Sequence, residues 1–404
     1  MNYQGKKLML VGGGLLQVPA IEIAKSMNLE VIVTDRDPSC ICAKLVDEFY
    51  AIDTKDIQGH IELAHDIQKG LVGVFTEGAS VECTVAAVAD ALKLPGISYA
   101  VANNIANKSR MRGTLSQNTP MKYGIFPDYQ SAWEGTSSSP SFIVKPNDGS
   151  GSRGMTKCWE HSTFIPQVFD TAVQFSDNRQ VLIEELLQPN PNETIWEQSV
   201  ETVWHDGKGY FLSWVDREFL SDNRYAIESN VYAPATHSPQ VTDEVIDMCL
   251  KAGKALQMTT GIFKCDTMLT TKGAKILETT ARLSGGFDSQ YLTPLAYGAD
   301  YIRGAMLLAL GENIHWEFFH PKWNRHAVAH WVFPKQGKVK SLDITQAEKY
   351  GKVFARVKVG DEIKRLRACT DRSIVCIADG FDRLTAIKNA NRMESEILKG
   401  LIVE

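Results

Sequence analysis

Asp266, Glu278 and Arg282 lie within residues 261–286, GIFKCDTMLTTKGAKILETTARLSGG. This stretch reads as two strands, 263–270 and 274–279. Thr271, Lys272 and Gly273 form the turn between them, where glycine accepts a positive φ at no steric cost. Pairing the strands sets the two carboxylates side by side with a guanidinium just beyond. Two carboxylates at one spot repel unless a cation sits between them. Magnesium holding nucleotide phosphates meets that need with few protein ligands, because phosphate and water supply the other oxygens. The planar fork of Arg282 suits phosphate oxygens. A solvated hairpin with ordinary surface charges fits the same residues.

Other stretches offer groups of matching chemistry. Residues 108–114, KSRMRGT, form a basic helical turn headed by Lys108, suited to phosphate or simply to solvent. Residues 141–154, SFIVKPNDGSGSRG, run an apolar strand into Lys145 and then a loop containing Ser150, Gly151 and Ser152. Backbone amides of such a loop can wrap phosphate oxygens, and a strand-borne lysine adds a point charge. No GKS or GKT closes it, so it is not a Walker loop. Residues 180–187, QVLIEELL, carry Glu184, Glu185 and Leu186 on an apolar strand, whose far end can turn backbone groups toward a base edge. Glu197 opens a strand, turn and strand running to 211. Residues 216–237, with Arg217, Arg224 and Glu228, read as polar and irregular.

These groups need elements to hold them. The chain opens with strands at 7–11, 30–34 and 73–76, alternating with helices at 17–27, 57–69 and 81–92, the pattern of a parallel sheet. Gly12, Gly13 and Gly14 follow the first strand, but Gln17 stands where the last glycine of a dinucleotide fingerprint belongs. Glu77 lies just past a strand end, where open α/β sheets border ligand crevices. Helices are expected at 243–257 and 302–310. From 323 the pattern changes to short strands at 325–334, 337–342, 353–359 and 373–378, then a helix at 382–398. No chemistry is visible in that last part.

With 404 residues, the chain has room for two or three domains at ~150 residues each. The net charge of −5 argues against a nucleic-acid surface. Eight scattered cysteines lack metal-ligand spacing and read as reduced, buried thiols of a cytoplasmic protein. No apolar run is long enough to cross a membrane.

Taken in order, Lys108, Lys145 with its glycine loop, Glu184-Glu185-Leu186, Glu197, Asp266, Glu278 and Arg282 resemble the ATP-grasp superfamily. The likeness spans almost the whole chain and is strongest to carboxylate–amine ligases and the formate-dependent glycinamide ribonucleotide transformylase type. It implies a mixed α/β and α+β fold: an N-terminal parallel βαβ domain (1–105), a central ATP-grasp fold (106–322) and a small C-terminal α+β domain (323–404). It implies an enzyme that uses ATP and Mg2+ to activate a small-molecule carboxylate as an acyl phosphate and join it to an amine or ammonia, releasing ADP. Asp266 and Glu278 would hold the metal. Lys108, Lys145 and the 150–152 loop would meet phosphate, Glu184 to Leu186 adenine, Glu197 ribose, and Arg282 the acyl phosphate. The loop at 149–154 would close as a lid.

On the same resemblance the substrate borders 217–234. Arg217 and Arg224 would face its carboxylate and Glu228 an amine, while Ser284, Gly285 and Gly286 would allow close backbone approach. Glu77 is a further substrate candidate. The chain reads Glu278-Thr279-Thr280-Ala281-Arg282 where the family often carries E-x-N-P-R, leaving Thr280 to meet metal or phosphate. Leu15 stands where the purine transformylases carry glutamate, which argues against a purine substrate. A purine-biosynthesis carboxylase or formyltransferase, and a non-catalytic ATP-binding regulator, are the alternatives. Neither nucleic acid nor membrane is an expected partner, and a homodimer is left open.

Overall fold

A computed structural model describes residues 2–221 and 224–404. The chain opens with β1 (Lys7–Val11), α1 (Val18–Ser26), β2 (Glu30–Thr34), β3 (Glu48–Tyr50), α2 (Ile57–Asp66), β4 (Leu71–Phe75) and α3 (Glu82–Leu92). The four strands form a parallel sheet in the order β3-β2-β1-β4. Both faces are covered, so β1 is apolar throughout: Leu8 and Leu10 pack into one cluster and Met9 and Val11 into another. Gln17 replaces the fingerprint glycine with a strut. Its amide brackets the backbone of Glu77, accepting from the Glu77 N–H at 3.0 Å and donating to its carbonyl at 2.8 Å. That locks the turn after β1 to the end of β4.

Two short helices, α4 (Tyr99–Ala106) and α5 (Lys108–Leu115), lead to a small antiparallel sheet of β5 (Tyr123–Phe126), β6 (Phe142–Pro146), β7 (Thr156–Cys158) and β8 (Val181–Glu185), ordered β5-β8-β6-β7. Helices α6 (Tyr129–Thr136) and α7 (Pro166–Gln174) accompany it. Phe142, Val144, Phe164 and Phe169 fill the space between. The opposite side of this sheet is left to Lys145 and its neighbours.

The larger sheet begins with β9 (Glu197–His205), β10 (Lys208–Phe219) and β11 (Glu228–Ala233); α8 (Pro239–Ala255) precedes the hairpin of β12 (Gly261–Thr270) and β13 (Gly273–Thr280). Part of 216–237 is therefore strand, not irregular chain. Arg217 stands opposite Val231 and shares a face with Val215, and its ion pair with Glu228 lets so polar a stretch lie in a sheet. After α9 (Thr293–Tyr297), α10 (Tyr301–Ala309) and α11 (Trp316–Phe319) come β14 (His326–Val332), β15 (Gly337–Leu342), β16 (Lys352–Ala355), β17 (Glu362–Ile363), β18 (Ile374–Gly380), α12 (Arg383–Gly400) and β19 (Leu401–Val403). The eight-stranded order is β13-β12-β9-β10-β11-β14-β18-β16. C-terminal strands thus extend the central sheet through β11 and β14, while β17-β15-β19 form a small sheet beside it.

Candidate active site

The hairpin places its carboxylates as the spacing predicts: Asp266 stands opposite Glu278. The register slips by one residue between Asp266 and Thr267, a bulge on β13 at Leu277. Bulges leave backbone groups unpaired and re-aim side chains near functional sites. Here Arg112 takes up the loose carbonyls, donating to Ile276 and Leu277 oxygens at 2.6 Å each.

Both carboxylates border a cleft of about 930 Å3 between the small sheet and the central one. The cleft is lined by Lys108, Lys145, Ser150, Gly151, Ser152, Glu184, Glu185, Leu186 and Glu197 as well. A second space of about 820 Å3 continues beyond the pair, and Ser150–Ser152, Arg217, Asp266 and Glu278 line both. Arg282, Glu228, Ser284, Gly285 and Gly286 lie only on the far side. The hairpin carboxylates and the glycine loop therefore stand between two chambers.

Each acid is balanced by named cations. Lys108 Nζ lies 2.9 Å from Glu278 and donates to the Gly149 carbonyl at 2.6 Å, which ties the loop to the hairpin. Asp266 receives Lys264 at 2.7 Å, Arg217 at 3.1 Å and the Ser199 hydroxyl. Burial pushes both carboxyls up, but Arg217 and Lys264 at Asp266, and Lys108 at Glu278, outweigh it and hold them below the ordinary range. Glu184 is turned inward between Arg112 and Lys145, the latter at 2.7 Å. Burial raises its carboxyl, yet the two cations bring it down to about 2. Its side chain thus positions Lys145 rather than facing the cleft's open space. Glu185 accepts from the Lys122 N–H at 2.9 Å at the rim. Glu197 is pushed up by burial.

On the far side, Arg217 pairs with Glu228 at 2.7 Å, and Arg372 reaches the same carboxylate at 3.0 Å. Arg282 is held by oxygens without charge: the Ala79 carbonyl at 3.1 Å, the Leu283 carbonyl at 2.9 Å and Ser80 Oγ at 3.2 Å. Gly285 passes so close to Gly78 that a Cβ there would stand 2.8 Å from the Gly78 carbonyl. That contact lets the loop after Arg282 seat against the N-terminal sheet.

Two sequence candidates are not brought into this cleft. Glu77 lines a different cavity with Gly12, Gly14 and Leu15, and burial and Glu201 push its carboxyl far up. Arg224 has its carbonyl bonded to the Lys157 N–H at 2.9 Å and borders neither chamber. Three residues were missed. Lys264 shares a strand face with Asp266, two residues away, and that alternation was readable. Arg112, four residues after Lys108, was readable only as a basic helix face. Arg372 carries no local signal.

No protein-family model matches the chain, and no curated protein does. Solved structures do match it. The L-amino acid ligase of Bacillus licheniformis superposes with a TM-score of 0.80 at 18% identity, over 99% of each chain. The phosphoribosylglycinamide synthetase of Anaerococcus prevotii gives 0.75 at 17%, again over 99% of each. The biotin carboxylase domain of the 2-oxoglutarate carboxylase of Hydrogenobacter thermophilus, crystallised as a dimer with MgADP, ADP and bicarbonate, gives 0.75 at 15%, over 99% of this chain and 90% of that one. At such identities the likeness establishes architecture, and it extends over nearly the whole chain. This chain shares its overall fold with these ligases and carboxylases.

Proposed function

We propose that the chain is an ADP-forming ligase that activates a small-molecule carboxylate with ATP and joins it to an amine or ammonia. The observation that carries this reading is the facing pair Asp266 and Glu278 between two chambers, with Lys108 and Lys145 on one side and Arg282 on the other. The ATP-grasp neighbours support it, among them a structure holding MgADP.

Asp266 and Glu278 fit magnesium as hard oxygen donors. No cluster of three or more metal-ligating side chains occurs among the described residues, so the donor set suits an ion completed by phosphate and water. When bound, the ion would supply charge neutralisation and polarisation of phosphate oxygens. The residues of the chain do the rest. Lys108 and Lys145 offset phosphate charge, and Glu184 holds Lys145 in place for that task. The 149–154 loop covers the nucleotide and keeps water from the acyl phosphate. A substrate carboxylate entering from the far chamber attacks the γ-phosphate and displaces ADP. Arg282, which makes no ion pair among the described residues, stabilises the oxyanion that forms when the amine adds to the acyl phosphate and that collapses as phosphate leaves.

Arg217 and Glu228 border the substrate on this reading, with Ser284 and the two glycines behind it. The unpaired state of all eight cysteines fits a reducing compartment, and we assign the cytoplasm. A homodimer is part of the proposal by likeness to the dimeric carboxylase domain. Chromatography of the products tests the reading. ADP and phosphate appear only with Mg2+, ATP and an accepted carboxylate; AMP and pyrophosphate would overturn it.

A further inference from the structure

Most charges in the cleft between the small sheet and the central one are matched at close range. Of its lysines, Lys108 pairs with Glu278 and Lys145 with Glu184. Of its acids, Asp266 receives Lys264 and Arg217, and Glu185 accepts the Lys122 N–H. Lys157 and Glu197 line the same cleft. Among the described residues, no ion pair and no hydrogen bond from another residue reaches either charged group. Each is the leading opposite charge acting on the other, while Lys145 repels Lys157 and Asp266 repels Glu197. The two therefore stand near each other, but farther apart than an ion pair.

The fold aims both into the cleft. Lys157 lies on β7 opposite Ile143 of β6, and residues opposite one another in an antiparallel pair share a face. Ile143 and Lys145 line the cleft on that face, whereas Phe142, Val144 and Cys158 are buried in the core behind it. The Lys157 N–H bonds the Arg224 carbonyl at 2.9 Å, which ties the edge strand to the chain between β10 and β11. Glu197 opens β9, between Arg217 of β10 and Met268 of β12, and is more than nine-tenths buried. Burial pulls the Lys157 ammonium below the ordinary lysine value and pushes the Glu197 carboxyl up, so both ions are short of partners.

A hydroxyl group meets both needs at once. Its hydrogen goes to a carboxylate, and its lone pairs accept from an ammonium. The rest of the cleft says which molecule brings the hydroxyl. Ile143, Met155, Leu186 and Met268 give it apolar walls suited to a flat base, and Lys108 and Lys145 suit phosphate. Between the base and the phosphates of a nucleotide lies the sugar. We infer that Lys157 reads the ribose: one ribose hydroxyl donates to Glu197 and accepts from Lys157, so this lysine sets the preference for a ribonucleotide over a deoxynucleotide. The inference deepens the ligase reading above, from which it takes the nucleotide. Glu197 by itself takes the hydrogen and leaves the hydroxyl's lone pairs unread.

Titration calorimetry on the full chain with Mg2+ tests the inference. The probes are ADP, 2′-deoxy-ADP and 3′-deoxy-ADP, none of which has a γ-phosphate to lose. The expected result is that wild type binds ADP roughly tenfold or more tightly than at least one deoxy analogue. Lys157→Met should bring that ratio to within about threefold, by weakening ADP and not the analogue. A wild-type ratio already below about threefold for both analogues overturns the inference, and that measurement needs no variant to fold. A ratio unchanged in Lys157→Met also overturns it, as does equal weakening of ADP and both analogues, the pattern of a phosphate contact. Lys157→Arg, which keeps charge and donors, should retain more of the ratio than Lys157→Met; the reverse order counts against the lysine. Failure of the ligase reading looks different. A ribose preference that Lys157→Met removes, with no ADP released from ATP on addition of any carboxylate, leaves the lysine's role standing and removes the ligase. ADP release with an accepted carboxylate, beside equal affinity for ADP and its deoxy analogues, does the reverse.

Discussion

Glu184 is nearly sealed from solvent and serves two cations at once. Removing its charge leaves Arg112 and Lys145 buried without a partner, so Glu184→Gln should lose about 3–5 kcal/mol in urea unfolding. The pH dependence has a defined sign. Its carboxyl lies near 2 in the folded chain against an ordinary 4.5. Its contribution is therefore complete above the ordinary value and falls away as pH drops toward the folded one. Wild type should lose more stability than Glu184→Gln between about pH 5 and about pH 2.5; parallel losses would refute the assignment. At the hairpin, Asp266→Asn and Glu278→Gln should each lower ADP release by on the order of 10²–10³ while far-UV circular dichroism shows the chain still folded. Arg282→Ala should abolish ligation yet leave binding of an ATP analogue within roughly tenfold, because its fork acts on charge that develops late. Asp266 and Glu278 were legible in the sequence because a hairpin is a local object. Arg112 and Arg372 were not: their partners lie 164 and 144 residues away along the chain, and nothing nearby marks a lone arginine as a ligand.

At the scale of elements, the glycine loop is held lightly. Ser152 and Gly151 adopt left-handed backbone at φ 59° and 66°. Lys108 grips the Gly149 carbonyl, and Cys369 Sγ approaches Ser152 Oγ at 3.7 Å. A loop with few apolar contacts opens at low free energy. Amide hydrogen exchange across 149–154 should be fast in the free protein and slow when ATP and Mg2+ are added; equal rates would count against a lid. Of the elements that frame this loop, β6 and β8 were legible as apolar runs, whereas the three-residue β7 and the helix α7 were not read. The stretch at 216–237 was not, because its buried charges mimic a solvated loop until the partner strand is known. The β13 bulge is equally invisible, since it is a property of register rather than of residue type.

The whole molecule joins its parts through shared sheets and a few ion pairs. Lys55 of the N-terminal part reaches Asp177 beside the small sheet at 2.5 Å. More consequential is β14, which covers the edge of β11 with Ala327 opposite Ala233 and Ala329 opposite Val231. A chain ended at Lys322 loses β14, β16 and β18 and bares β11, an apolar edge open to foreign strands. Such a truncation should collect in the insoluble fraction or elute as aggregates in size-exclusion chromatography; a soluble monomer would show that the edge needs no cover. The parallel N-terminal sheet was legible from the alternation of its strands and helices. That the last part supplies Arg372 to the cleft was not, because its residues meet the site only after the sheet has closed across β11 and β14.

Arg112 has a bearing on how such proteins can be recombined. It lies on α5, before the small sheet begins, yet it bonds Glu184 at the end of that sheet and the Ile276 and Leu277 carbonyls in the hairpin. Three separated stretches of chain therefore meet in one guanidinium. A chimera that grafts a foreign small sheet between β5 and β8 imports a new residue at Glu184 while keeping the old arginine. Its crossover points cut through this junction. Exchange at cassette boundaries drawn around the visible sheet should give misassembled hybrids, whereas a transplant running from 108 to 280 carries the junction intact.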